Sequence, residues 1–382
     1  MAASIQRVTW HQLRVSPKTI WSFIELTDDT GRIGVGEATL GQREPQMRDA
    51  LDRLRHAIVG RVPSSIDLSP QRSAARALPD FAIVSALDQA LWDLVAQQRG
   101  VSVSDALGAR QRDTIPVYAN INRGIASRSA DGFAMQARRA VADGFSAIKI
   151  APFDDVALYG DTRSVVDDSL LDAALARIAA VRDAIGPDVD LMVDCHWRLN
   201  REIAEVVLNA TAAQRLYWLE CPVPETPAML STLRELRGLA NARGVRLAGC
   251  EEMSLRSGFS PFLDAGAYDV MMPDAKYVGG LREMLDVAEL LKRHGVAFSP
   301  HNPSGPVCHA ASVHVCAASS IVDRLEMQYA ETPLFSTLVG SSFPSAIDGS
   351  IEVPRTAGLG AQLDRGLVEE LQAADGFAKH AS

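Results

Sequence analysis

The sequence predicts an α/β fold, a parallel-stranded barrel with an α+β domain in front of it. Three observations carry that reading. With 382 residues the chain is too long for one small domain and fits a large α/β unit plus a smaller partner. From about residue 115 onward, short apolar runs alternate strictly with helical stretches, the pattern of repeated βα units and a parallel sheet. Six of those runs close on an acid or a histidine, at Asp194, Glu220, Glu251, Asp274, His301 and Glu326. Their spacing of about 23 to 31 residues is that of one βα unit in a barrel.

Taken in order, residues 5–15, 20–26 and 33–38 read as strands, the last two joined by a turn at 28–31. Helical patterns follow at about 43–60 and 80–99, the second with Ile83, Ala86, Leu87, Ala90, Leu91 and Leu94 at helical spacing. Segments 15–19 and 40–46 are loop-like and are expected to lie over a neighbouring site. The first barrel strand is 115–121 with its helix at about 129–143. The second is 147–153, followed by a polar insertion at 154–168 and a helix at about 168–185. Further helices are expected near 200–213, 226–243, 254–265, 280–294 and 305–319, interleaved with the acid-ended runs. So long a series favours a closed barrel over an open doubly wound sheet. The tail from about 335 to 382 contains no further βα unit and is expected to pack back on the N-terminal domain. The division is therefore 1–114, completed by about 335–382, and a barrel over 115–334.

Composition narrows the function. Hydrophobic residues make up 47% and charged residues 22%, an ordinary globular balance. A net charge of −9 leaves no basic footprint for nucleic acid or an anionic membrane. The first residues lack the apolar core of a signal peptide, and no stretch is apolar for the length of a membrane span. Five cysteines, an odd number, fit reduced thiols rather than a disulfide framework. The expectation is a cytoplasmic homo-oligomer that acts on a small-molecule carboxylate, with no nucleic-acid or membrane partner. A G-x-G-x-x-G turn and a P-loop are both missing from the sequence, which lowers nucleotide-binding readings.

In a barrel of this kind the strand ends converge on one face, which holds the active site. Asp194, Glu220 and Glu251 then come from three consecutive strands. Three like charges in one cleft need a cation, and oxygen ligands select a hard one, Mg²⁺ with Mn²⁺ next. The competing reading is three solvated acids at strand ends. A one-residue slip would substitute Glu252 for Glu251. A zinc site built from Cys195, Cys221 and Cys250 is opposed by alternation, which turns Cys195 and Cys250 away if Asp194 and Glu251 face the site. The same alternation puts Asp194 and His196 on one face. Asp274, His301 and Glu326 come from the other half of the barrel. A histidine bonded to a neighbouring carboxylate suits a general base, although His301 also fits a plain residue of the turn 300–305.

Residues 34–38 (Gly-Val-Gly-Glu-Ala) and 86–94 (Ala-Leu-Asp-Gln-Ala-Leu-Trp-Asp-Leu) resemble capping-domain signatures of the enolase superfamily, in its mandelate-racemase-like subgroup. The acid strand ends, the run 273–280 (Pro-Asp-Ala-Lys-Tyr-Val-Gly-Gly) and Ser299-Pro300-His301 resemble its barrel motifs. The resemblance covers nearly the whole chain. It implies a modified (β/α)₇β TIM-like barrel with an α+β N-terminal capping domain, and one Mg²⁺ on Asp194, Glu220 and Glu251. It also implies a His301–Asp274 dyad that removes the proton α to a substrate carboxylate, giving an enediolate. Such a proton is weakly acidic, so developing charge must be stabilised by the cation and a donor, a role open to Glu326 if protonated.

One departure bears on the reaction. Many members of the superfamily carry Lys-x-Lys at the end of the second strand, and here Lys149 is followed by Ile150 and Ala151. Proton transfer between two faces of one carbon needs two bases, so racemisation is disfavoured. Lys149 then reads as a cation near the substrate carboxylate, and Lys276 as either a site residue or a salt-bridge partner. His196 is similar in position to the histidine of acid-sugar dehydratases that protonates the departing 3-hydroxyl; alternatively it supports a metal ligand. The resemblance thus implies a galactonate- or gluconate-type dehydratase. The alternatives are a racemase or epimerase with Lys149 as second base, or a sugar-acid sensor without turnover.

Overall fold

The computed structural model describes residues 3–108, 110–157, 168–340, 343–375 and 380–381. The chain opens with an antiparallel meander: β1 (Ile5–Arg14), β2 (Ile20–Asp28) and β3 (Ile33–Glu37). The turn between the last two is closed by the Asp28 carboxylate, which accepts from the N–H groups of Thr30 (2.9 Å) and Arg32 (3.0 Å). Helices α1 (Glu44–Leu54), α2 (Ser69–Ala74), α3 (Leu78–Arg99) and the short α4 (Val103–Leu107) follow.

Helix α3 starts with Pro79 in its first turn and Asp80 near its positive end, and stops at Gly100 in the left-handed region (φ 67°). It is buried along most of its length because the meander packs on one side and the barrel on the other. Contact with β3 is backbone to backbone: a Cβ on Gly36 would lie 1.9 Å from the Ala86 carbonyl oxygen.

The barrel has eight parallel strands, β4 (Thr114–Asn120), β5 (Ala147–Ile150), β6 (Asp190–Asp194), β7 (Leu216–Glu220), β8 (Arg246–Gly249), β9 (Val270–Met271), β10 (Ala297–Phe298) and β11 (Leu325–Gln328). Between them run α5 (Ala130–Ala142), α6 (Asp168–Ile185), α7 (Arg201–Ala210), α8 (Leu230–Asn241), α9 (Leu255–Asp264), α10 (Leu281–Arg293) and α11 (Pro306–Ala318). Among the described residues, these seven helices and eight strands follow the expected (β/α)₇β order. Continuous ladders run from β10 round to β4 and on to β11. The remaining seam, β10 to β11, is bridged by Asp323 N–H to the Phe298 oxygen (2.8 Å) and Glu326 N–H to the Pro300 oxygen (3.3 Å).

Inward positions fill the lower barrel with Tyr118, Met192, Trp218, Ala248 and Val270, the two large rings edge to face at 5.5 Å. Outward positions such as Ile148, Val193, Leu219 and Leu247 form the layer under the helices. The inward row continues upward as Lys149, Asp194 and Glu220, which is how the strands deliver charged groups to one mouth.

After α12 (Leu334–Thr337) the tail serves both halves. β12 (Ser350–Glu352) pairs antiparallel with the start of β4, beneath the barrel. α13 (Arg365–Ala374) then packs on β1, and β13 (His380–Ala381) pairs with β1. The tail, expected to pack back on the N-terminal domain, meets β1 through α13 and β13 and also pairs with the barrel floor through β12.

Candidate active site

Asp194 and Glu220 end adjacent strands in register, and Glu251 lies two residues beyond β8. One carboxylate oxygen from each converges so that the three lie within 4.8 Å of one another, in side chains that are all buried. Glu252, the alternative, is exposed and outside this group.

Strict strand alternation would not have brought Glu251 here. Ala248 faces the barrel interior, so alternation would send residue 251 outward. Instead Cys250 adopts a left-handed backbone (φ 71°), its thiol joins the outer apolar layer, and Glu251 swings inward. His196 likewise follows the end of β6 with φ 45°, so it reaches Asp194 through a turn and not by strand period. Non-glycine residues in this region carry a strain of order 1–3 kcal/mol each, and three of them, with Cys221 (φ 43°), ring the acidic group. The cysteines do not converge as a zinc site. Cys195 and Cys250 lie in the apolar layer under the helices, and the Cys221 sulfur is 3.9 Å from Glu251.

The acids are unevenly compensated: His196 and Lys149 hold the Asp194 pKa low against burial, whereas Glu220 and Glu251 are pushed up. Lys149 Nζ lies 2.7 Å from Glu220, 2.8 Å from Glu326 and 3.8 Å from Asp194. Burial alone would lower its pKa, but Glu220, Glu326 and Asp194 hold it well above the ordinary range. Even so, burial and the Asp194 charge push Glu251 up to about 8. Burial and the neighbouring carboxylates likewise push Glu220 up, against the pull of Lys149. A compact all-oxygen donor set carrying more negative charge than one ammonium offsets fits a small, hard divalent cation.

Two expected roles meet different surroundings. Lys149 is 1% exposed and tied to Glu220, Glu326 and Asp194, where it compensates charge. Glu326 accepts from Lys149, from Asn120 Nδ2 (2.7 Å) and from the Asn302 N–H (2.9 Å). Burial would raise its pKa, yet Lys149, His301 and the Asn302 N–H hold it below the usual carboxylate range, and in this structure its oxygens act as acceptors.

Across the mouth, His301 Nδ1 is 2.7 Å from Asp274 Oδ2, and its Nε2 lies 3.6 Å from Glu251. Asp274 is fully buried, but Lys276 at 3.2 Å and His301 keep its pKa low, so it accepts the Nδ1 proton and leaves Nε2 as the basic nitrogen. Lys276 is therefore a salt-bridge partner that also borders the site. His196 sits between two carboxylates, Nδ1 2.6 Å from Asp154 and Nε2 2.9 Å from Asp194. Burial would lower its pKa; Asp194 and Asp154 outweigh it and hold the ring protonated.

Over these groups lies a cavity of about 300 Å³ bordered by His196, Glu251, Lys276 and His301 from the barrel and by Lys18, Thr19, Thr39 and Gly41 from the N-terminal domain. Both loops expected to cover the site do so. The first is pinned by Glu331, which accepts from Ser16 Oγ (2.9 Å) and Thr19 and pairs with Arg123 (3.3 Å). Of the polar insertion, Asp154 is a site residue; residues 158–167 lie outside the described residues.

Comparison with known proteins agrees with this architecture. Residues 8–108 match the family model for the mandelate racemase / muconate lactonizing enzyme N-terminal domain, and residues 132–367 match the enolase C-terminal domain-like model. A D-gluconate dehydratase of Thermoproteus tenax is 31% identical over 92% of this chain and 69% of its own. A D-galactonate dehydratase of Ralstonia pickettii is 30% identical over 96% and 94%. A mandelate racemase/muconate lactonizing enzyme structure from Sulfitobacter sp. superposes with TM-score 0.86 at 24% identity, covering 97% of this chain and 95% of that one, a likeness of fold.

Proposed function

Because the chain belongs to the mandelate racemase and muconate lactonizing enzyme family of the enolase superfamily, we propose that it is a sugar-acid hydro-lyase. In this reading it removes the proton α to the carboxylate and expels the 3-hydroxyl, leaving a 2-keto-3-deoxy acid. The observation that carries the proposal is a His301–Asp274 pair and a doubly carboxylate-bound His196 bordering one cavity beside three converging acids. The relatives named as gluconate and galactonate dehydratases support the choice of substrate class.

Asp194, Glu220 and Glu251 would hold Mg²⁺, which when bound supplies positive charge to stabilise the substrate carboxylate as negative charge develops on it. His301 Nε2 takes the α-proton, and Asp274 stabilises the imidazolium that results. His196 returns a proton to the departing hydroxyl, so one imidazole gains what the other gives up and water leaves. Lys149 offsets the negative charge packed around it, and the N-terminal loops close the cavity from above. Racemisation would need a second base facing the substrate. Ala151 offers none, and Lys149 is engaged by Glu220 and Glu326. Five unpaired, buried cysteines suit the reducing environment of the cytosol.

The test is a screen of mono- and diacid sugars with Mg²⁺, read out as 2-keto-3-deoxy product. His301→Asn is expected to abolish α-proton exchange, and His196→Asn to slow water loss by about 10²–10⁴-fold while exchange survives. If both variants keep full exchange and turnover, the assignment of roles is wrong.

A further inference from the structure

The two N-terminal motifs, 34–38 and 86–94, have no part in the chemistry above, yet Glu37, Asp88 and Gln89 within them are buried and bind groups of the barrel. Helix α3 faces the loop that follows β9, which begins at Asp274 and ends where α10 starts. Gln89 Nε2 donates to the Ala275 oxygen (3.1 Å), Ser85 Oγ accepts from the Gly279 N–H (3.0 Å), and Asp88 accepts from the Leu281 N–H (2.7 Å). From α2, Arg72 Nε donates to the Gly279 oxygen and its Nη2 to Asp88. Four backbone groups of one barrel loop thus find their partners on side chains of the other domain. The approach depends on Gly280: its φ is 130°, and a Cβ there would lie 2.5 Å from the Asp88 carboxyl carbon.

The loop after β10, which carries His301, is held the same way. Glu37, at the end of β3, accepts from the N–H groups of Gly305 (2.7 Å) and Cys308 (2.9 Å), which open α11. Gln89 ties the two anchors together, because its Oε1 accepts from the Glu37 N–H (3.0 Å). One connected set of cap side chains therefore grips both loops from which the proposed dyad is assembled.

We propose that Ser85, Asp88, Gln89 and Glu37 are positioning residues for the His301–Asp274 pair. The cap would fix the distance and angle between base and carboxylate as well as covering the substrate. The barrel anchors these loops too, through Leu255 N–H to the Val278 oxygen and Asn302 to Glu326, but β9 and β10 are two residues long and both functional side chains lie beyond them, so the cap's bonds add to a short ladder. A buried backbone group without its partner is unfavourable, so loss of an anchor would make the loop reorganise and not merely loosen. Sub-ångström displacement of a base is enough to slow proton abstraction.

The inference rests on the proposed role of His301, and its test separates the two. Gln89→Met keeps the side-chain volume and removes all of its hydrogen bonds. Ser85→Ala removes the single bond to Gly279 and serves if the first variant fails to fold. Ile83→Val, a buried apolar change inside the cap that removes no hydrogen bond to either loop, is the control for general destabilisation. The first readout is the downfield proton resonance of His301 Nδ1–H, assigned by its loss in His301→Asn. It is expected to shift or broaden in Gln89→Met and Ser85→Ala and to stay in place in Ile83→Val. The second is turnover, with kcat expected to fall about 10- to 100-fold and KM to stay within threefold. A resonance and a kcat unchanged in both variants overturn the positioning role while leaving the base assignment standing. Proton exchange that survives His301→Asn overturns both.

Discussion

Asp93 is a buried carboxylate that accepts from the N–H groups of Val35 (3.0 Å) and Leu359 (2.8 Å), tying the meander to the tail. Burial pushes its pKa from 3.8 up to about 6. The native protein therefore holds a proton here that the unfolded chain releases near pH 4, so this group's contribution is fullest below about pH 4 and is lost as pH rises through 6. A two-unit shift corresponds to about 2–3 kcal/mol. Asp93→Asn does not titrate, so its stability relative to the parent should improve by about 2 kcal/mol between pH 4 and pH 7, measured by urea unfolding at each pH. A difference that stays flat would remove the assigned cause. At this scale the sequence made legible the groups that close strands, Asp194, Glu220, Glu251, Asp274 and His301, because strand ends share one face. It concealed Asp154, Asn120 and Asn302, because a loop residue or an amide carries no periodic signal. It also gave no sign that Lys149 and Glu326 meet. Two residues 177 positions apart bind each other at 2.8 Å, and no local pattern encodes that pairing.

At the scale of the element, strand boundaries were the hardest feature to read. The apolar runs ending at Asp274 and His301 look like strands to their last residue, but each ladder stops after two residues. Pro273 and Pro300 explain this, since neither has an N–H to donate to a neighbour. The shortening is what frees Asp274 and His301 to turn toward each other. Helix α3 was legible in place and extent, because its apolar period is long and its end is a glycine; its buried polar face was not. The tight fit of α3 on β3 gives the element its own test. In Gly36→Ala the new methyl would sit 1.9 Å from the Ala86 oxygen, and one of the two backbones must move. Overpacking of this kind typically costs about 1–3 kcal/mol, visible as a lowered thermal midpoint. A variant that melts with the parent would show the contact to be soft.

Taken whole, the molecule has an architecture that was legible because βα repetition leaves few alternatives, whereas the tail was not, since a three-residue strand such as β12 is set by what it lands on. The metal proposal belongs at this scale, because a cation held by three strands links them in the native state alone. Mg²⁺ at a hundred times its dissociation constant should stabilise the parent by about 2.7 kcal/mol. Glu220→Gln should lose most of that increment, and chelation should return the parent to the metal-free midpoint; equal increments in both proteins would move the ion elsewhere. The seam between β10 and β11 has a wider implication. A hoop stitched on seven sides and tacked by two backbone bonds on the eighth has a preferred place to part, and His301 stands beside it. The smaller domain holds the start of the helix that follows His301, through Glu37, so altering that grip to admit a different guest also reaches the loop beside the seam.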